Sequence, residues 1–598
     1  MTKSKRRWSR ARRVTVKVFA GIGAMVVLGA IFLLIAIAVF ARGPGVPGRT
    51  VLELNLEEGL VEHIPDDPLA GVLARRQTSV RDVVEALHRA ADDDRVVGLV
   101  ARVGSGPIGM ARAQEVREAV LAFRQSGKPA VLFSETFGEF APAQAGYYLA
   151  TAFDQIYLQP SGDVGLTGLL VEAPFFGGTL EQLDIEMRTS QRHEYKTALE
   201  TFTHRGFSPE NREAVTAVVQ SMFDQLLGGI AEGRRLTPEQ VRETVNRGPL
   251  FGDEAVRAGL VDRLAYRDEV YDSLKAQFGE RTEFLYLSRY LDRAGRPYTR
   301  GDAIALIYGV GAVQRGESRF DALSGGTSMG SETVARAFRE AIEDDGVKAI
   351  LFRVDSPGGS YVASDAIWRE TRRARAAGKP VIVSMGNVAG SGGYFVAMAA
   401  DRIVAHPATI TGSIGVLAGK PVTREFWDRF GVSWDTIQVG DNATMWSAIH
   451  DYSPEERARL ETNLDRIYAD FVAKAAEGRN MTPEQMDRLA RGRIWTGVDA
   501  QRLGLVDDLG GLTTALRLAR EAAGIAPDAD IHLRAFPARR PFLEQLLARG
   551  PDSSYPTGAE ALLVQLVEAV RPAVLLARRA GFGGGTDVLT MPGVLPGY

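Results

Sequence analysis

The chain carries one succession of segments twice, and a repeat of this length commits it to two copies of a single fold before any element is assigned. The first copy opens with VLELNLEEGLVE from Val51 and the second with IALIYGVGAVQRG from Ile304, each reading as an alternating strand. SVRDVVEALHRAADDDRVVGLVARV from Ser79 then matches ETVARAFREAIEDDGVKAILFRV from Glu332, an amphipathic helix, an acidic turn and an apolar strand. Further on, GKPAVLFSE at Gly127 matches GKPVIVSMG at Gly378, and AGYYLATAFDQIYLQP at Ala145 matches GGYFVAMAADRIVAHP at Gly392. FSPENREAV at Phe207 matches YSPEERARL at Tyr452, and the segments from Leu236 and Met481 (LTPEQ and MTPEQ) pair in the same way. Short buried strands alternating with helices predict βαβ units, parallel pairing and right-handed crossovers. Two α/β domains are therefore expected, at 48–298 and 302–535, followed by a C-terminal extension at 536–598. A length of 598 residues, too great for one ordinary core, agrees with this division.

Ahead of the repeat, residues 1–17 hold eight Lys or Arg and no acid, and residues 18–41 form an uncharged run of 24. At about 1.5 Å per residue such a run is long enough to cross a hydrocarbon core of about 30 Å, and longer than the apolar part of a cleavable signal peptide. The basic flank predicts a cytoplasmic tail, an uncleaved transmembrane anchor at 18–41, and both domains on the far side of a bacterial inner membrane. A formal charge of -3 with no basic stripe beyond that flank gives no reason to expect nucleic acid as a partner. The chain has no cysteine, and its seven histidines include no H-E-x-x-H spacing, which argues against thiol catalysis and a helical zinc site.

Repeats with a shared scaffold are most informative where they differ. Ser391, in VAGSGGY, stands where the first copy has Gln144, at a joint between an apolar strand and a helix. Taken alone, a serine there is an ordinary helix cap. The strand ending at Val354 runs into DSPGGS (355–360), where the first copy has GSGPIG (104–109). Gly358 and Gly359 would leave backbone N–H groups open to a ligand oxygen, as would Gly392 after the serine. Counting back from Ser208 and Ser453 sets Lys196 of the first copy against Asp441 of the second.

These residues resemble the long, two-domain form of the signal peptide peptidase A family, also called protease IV. The likeness rests on DSPGG at 355–359, MGNVAGSGGY at 385–394, TGSIGV at 411–416 and YKTA at 195–198. It implies two tandem α/β domains of the ClpP/crotonase-like superfold, Ser391 as nucleophile, Lys196 as general base and Ser413 as the residue that orients the lysine. It also implies a homotetramer acting on cleaved signal peptides and other unfolded exported peptides, with no metal or organic cofactor. A Ser-Lys pair is chemically coherent, because desolvation lowers a lysine pKa toward the range in which it accepts a proton. The competing base is a histidine, with His193, His204, His406 and His450 as candidates. Two other functional classes are a crotonase-type acyl-CoA enzyme, which the SPGG turn would suit, and a non-catalytic membrane scaffold.

Overall fold

The computed structural model describes residues 45–64, 77–104, 106–321, 326–537 and 589–590. The expected cytoplasmic tail, the anchor and most of the C-terminal extension lie outside the described residues. Two parallel sheets form the body. The first runs Arg263–Leu264, Gln155–Leu158, Ala130–Ser134, Val96–Val103, Thr50–Leu56, Glu283–Tyr286, each pairing with the next in parallel. The second runs Asp508–Leu509, Arg402–Ala405, Val381–Gly390, Val347–Ser356, Asp302–Val310, Ile531–Phe536, again parallel throughout. The two orders correspond strand for strand, so the sequence repeat is a structural repeat. Beside the second sheet's central strand, Ile410–Gly412 pairs in parallel with Val381–Gly390 and antiparallel with Ile494–Thr496.

Local chemistry explains why both copies fold alike. Ser208 and Ser453 accept from the backbone N–H of Asn211 and Glu456, with Pro209 and Pro454 at the first helical position, and so start the helices Pro209–Arg234 and Pro454–Gly478. Thr237 and Thr482 close reciprocal capping boxes with Gln240 and Gln485. Tyr147 and Tyr394, both fully buried, each donate a phenolic hydrogen bond to a backbone carbonyl, of Leu260 and Leu505 respectively. The G-Y dipeptide shared by the repeats is thus a requirement of the fold, not of chemistry.

The halves meet along two seams. At one, Glu186–Arg192 of the first half lies antiparallel to Val416–Val422 of the second, from Arg192 opposite Val416 to Glu186 opposite Val422. Arg192 adds ion pairs to Glu461 and Asp465. At the other, fully buried Arg353 of the second sheet is held between Glu62 and Glu115 of the first half, each at 2.6 Å. Burial opposes the charge on Glu115, yet Arg353 and His406 hold its carboxyl below the usual range, and its Oε1 also accepts from Leu512 N–H at 2.7 Å. Removing one member of such a cluster strands the others. Arg353→Met is expected to lower unfolding stability by about 3–5 kcal/mol in urea denaturation. The exposed pair Arg517–Glu521 serves as the control, and Arg517→Met should cost under about 0.5 kcal/mol.

Candidate active site

The Val381–Gly390 strand is buried along its whole length and delivers Ser391 to the start of the Gly392–Ala397 helix. Ser391 occupies the cap position, but its side chain makes no capping bond. Its backbone sits at φ 55°, ψ -115°, a region that a residue with a Cβ enters only under strain. The backbone is held there by Ser391 N–H to Gly412 O at 2.8 Å and Phe395 N–H to Ser391 O at 2.9 Å. The Ser391 side chain is therefore not a helix cap; its hydroxyl is turned elsewhere.

It is turned toward Lys196. The Lys196 Nζ lies 2.7 Å from Ser391 Oγ, 2.9 Å from Ser413 O and 3.1 Å from Ser413 Oγ. All three residues are fully buried. Burial pushes the lysine pKa well below its ordinary value, and no carboxylate counters the shift. A neutral amine has two N–H donors and one lone pair. Two bonds to Ser413 and one accepted from the Ser391 hydroxyl satisfy all three.

Three pieces of backbone assemble this cluster. Lys196 follows the Glu186–Arg192 strand, and Tyr195 N–H is tied to Arg491 O at 3.1 Å. Gly492, at φ 86°, packs so closely that a Cβ there would lie 2.3 Å from the Lys196 nitrogen. Ser413, at φ 51°, is fixed by its N–H to Arg493 O at 2.7 Å. The segment 491–493 therefore supports both Lys196 and Ser413. Nothing at sequence level marked it out, since a lone glycine after an arginine is an ordinary turn.

The glycines divide in their roles. A Cβ on Gly392 would come within 3.0 Å of Gly359 N, and one on Gly393 within 2.5 Å of Ser356 O, so the helix start lies flush against Gly358–Gly359. As the first residue of its helix, Gly392 has an N–H with no intrahelical partner. Gly358, expected to offer a free N–H, instead donates to Ser356 Oγ at 3.2 Å. The other edge of Gly358–Gly359 is paired antiparallel with Leu589–Thr590 from the C-terminal extension, which also lies against Val416–Val422.

None of the four candidate histidines hydrogen-bonds to Ser391. His193 packs against the Tyr468 ring at 4.6 Å, His204 lies 2.8 Å from Thr203 Oγ1, His406 lies 3.6 Å from Glu115, and His450 lies 2.9 Å from Thr436 Oγ1. Among the described residues, no group of His, Asp or Glu is arranged to hold a metal ion. The register of the repeats also needs correcting. Asp184 and Gly431 share the same positive-φ turn, with Ile185 N–H to Leu180 O and Val432 N–H to Trp427 O. That equivalence sets Asp441 opposite Glu194, whereas counting back from Ser208 and Ser453 sets it opposite Lys196, so the loops between these anchors differ by two residues in length.

Comparison with known proteins places the chain in a family. The profile of Peptidase family S49 matches residues 122–280 and 373–526, one stretch in each half. Protease 4 of Salmonella typhi is 33% identical over 554 residues, 88% of this chain and 86% of its own. Protease 4 of Haemophilus influenzae is 30% identical, covering 83% of each chain. The chloroplastic serine protease SPPA of Arabidopsis thaliana is 33% identical over 75% of this chain and 66% of its own. A solved ClpP1 mutant from Listeria monocytogenes aligns with 36% of this chain and 94% of its own, at 17% identity and a TM-score of 0.22. With a profile match in each half and relatives at this identity over most of their length, the chain belongs to Peptidase family S49 and is a serine peptidase of that family.

Proposed function

We propose that this protein is a membrane-anchored endopeptidase that uses a Ser391–Lys196 dyad to degrade cleaved signal peptides and other unfolded exported peptides. The observation that carries the dyad is the 2.7 Å contact between Lys196 Nζ and Ser391 Oγ inside a fully buried cluster. In the first step the neutral amine takes the Ser391 proton as Oγ attacks the scissile carbonyl. The carbonyl oxygen becomes an oxyanion, received by the N–H groups of Gly392 and Gly359. Gly358 joins them only if its N–H leaves Ser356. When the C–N bond breaks, the Lys196 ammonium returns its proton to the leaving amine. The amine then activates the water that cleaves the acyl-enzyme. Ser413 holds the amine in line through both its oxygens.

Substrate binding as an added strand is supported by the edge of Gly358–Gly359 that here pairs antiparallel with Leu589–Thr590, a segment the substrate would replace. Such an edge takes extended, unfolded chain. The uncharged run at 18–41 with its basic flank supports a single anchor that leaves both halves outside the cytoplasm.

A homotetramer is part of the same reading, and two unpaired segments support self-association. Glu186–Arg192 pairs with Val416–Val422 inside the chain, yet the repeat counterparts of both are unpaired. Residues 432–439 belong to no strand and are exposed, with Ile437 97% and Val439 92% accessible, and residues 169–175 belong to no strand either, with Leu170 73% accessible. Repeating the intrachain pairing between copies covers both edges and, being head-to-tail, builds a ring.

Ser391→Ala and Lys196→Ala are each expected to abolish peptide hydrolysis with the circular dichroism spectrum unchanged. Ser413→Ala should lower kcat about 10- to 100-fold. Retained activity in either dyad variant rejects the dyad. Activity should rise with pH through the depressed lysine pKa, as measured by a kcat/KM profile. Stability has a matching sign. Below the unfolded lysine value of about 10.4 the unfolded state binds more protons, so burial of the neutral amine costs stability that returns as pH rises. Lys196→Met should therefore raise the neutral-pH Tm, and the gain should shrink toward about pH 10. For assembly, Ile437→Asp with Val439→Asp should convert a light-scattering tetramer to folded monomers. A wild-type monomer at micromolar concentration would reject the ring.

A further inference from the structure

The GSGPIG turn at 104–109 occupies the place of the SPGG turn in the second half, yet the dyad chemistry makes no use of it. Its last residue, Gly109, lies against the strand that carries Ser391. That strand is irregular just before the serine. Val354 pairs with Met385 but Ser356 pairs with Ala389, so three residues of one strand, 386–388, face one of the other, Asp355. A bulge of this kind leaves backbone groups without ladder partners and re-aims the chain beyond it. Asp355 fills the gap by accepting the Val388 N–H at Oδ1, at 2.9 Å. Its other oxygen accepts from Arg112 Nη2, and Arg112 Nη1 donates to Leu60 O at 3.2 Å. The Arg112 backbone N–H donates to Asn387 Oδ1, at 3.1 Å, within the same bulge. Gly109, at φ 76°, is so close that a Cβ would lie 2.1 Å from Asn387 Nδ2. Asp355 and Asn387 are both buried, and Glu62 stands 3.5 Å from Arg112 Nε, so two carboxylates share the guanidinium.

We propose that Arg112 and Asp355 are positioning residues for Ser391, acting through the 386–388 bulge. The first half then contributes twice to the site: once through Lys196, and once by clamping the strand that aims the hydroxyl. The clamp rests on the reading of Ser391 as nucleophile. Asp355 alone caps Val388, while Arg112 fixes which way the Asp355 carboxylate faces and removes the cost of burying its charge. A loosened bulge lets Ser391 Oγ drift from the line between Lys196 and the substrate carbonyl.

The test uses the full-length protein with kcat counted per serine titrated by a fluorophosphonate. Arg112→Met and Asp355→Ala should each lower kcat per titrated site about 10- to 100-fold, with KM within about twofold. Arg112→Lys, which keeps the charge, should recover most of that loss. If Arg112→Met fails to fold, Gly109→Ala probes the same contact by pressing on Asn387, and should slow fluorophosphonate labelling about tenfold or more. The clamp is overturned if the variants lose only Tm while kcat per titrated site stays within about twofold, or if Arg112→Lys does no better than Arg112→Met. Failure of the nucleophile reading is distinct, because wild-type protein would then take no label at Ser391.

Discussion

An amine taken out of water is the constraint on which this structure turns. Lys196 loses its hydration completely and receives three oxygens in exchange, none of them charged. Neither half achieves this alone. The lysine belongs to the first, while Ser391, Ser413 and the covering Gly492 belong to the second. The antiparallel pairing of Glu186–Arg192 with Val416–Val422 carries the amine across. A buried charge without a partner is costly enough that the group neutralises instead, which is the state a base requires.

Duplication followed by division of labour accounts for the rest. What packing demands survives in both copies: the serine and threonine caps, the strand order and the buried tyrosines. Ser391 and Lys196 each occur in one copy only. Gln144 replaces the serine in the first half and its side chain is occupied with Gly168 O, while the second half has no lysine in the matching loop. The first copy's glycine turn has become a surface on which the second half rests.

Much of this was legible in the sequence, for identifiable reasons. The twofold repeat and its alternation of helices with parallel strands were read from the sequence; Ser391 and Lys196 were marked by comparing the copies and by the resemblance to a known family, Ser413 by the resemblance alone. Other parts were not legible, because they depend on contacts between distant segments. Gly492 shows its importance only once Lys196 is packed on it. The bulge at 386–388 exists only relative to its neighbouring strand. The N–H of Gly358 was assigned to a ligand, yet the nearer Ser356 hydroxyl holds it, a local competition that a motif does not display. The offset between Lys196 and Asp441 was misjudged because equal spacing was assumed across loops of unequal length.

The sequence separation of 195 residues between Lys196 and Ser391 also has a consequence in time. At about 5–20 residues per second, translation places the serine about 10–40 s after the lysine. Throughout that interval the amine is an ordinary hydrated ammonium, without the environment that would make it a base. A chain still being made therefore holds the lysine and the serine apart. The Lys196–Ser391 contact forms only once the second half has been made and its strands have closed on the first.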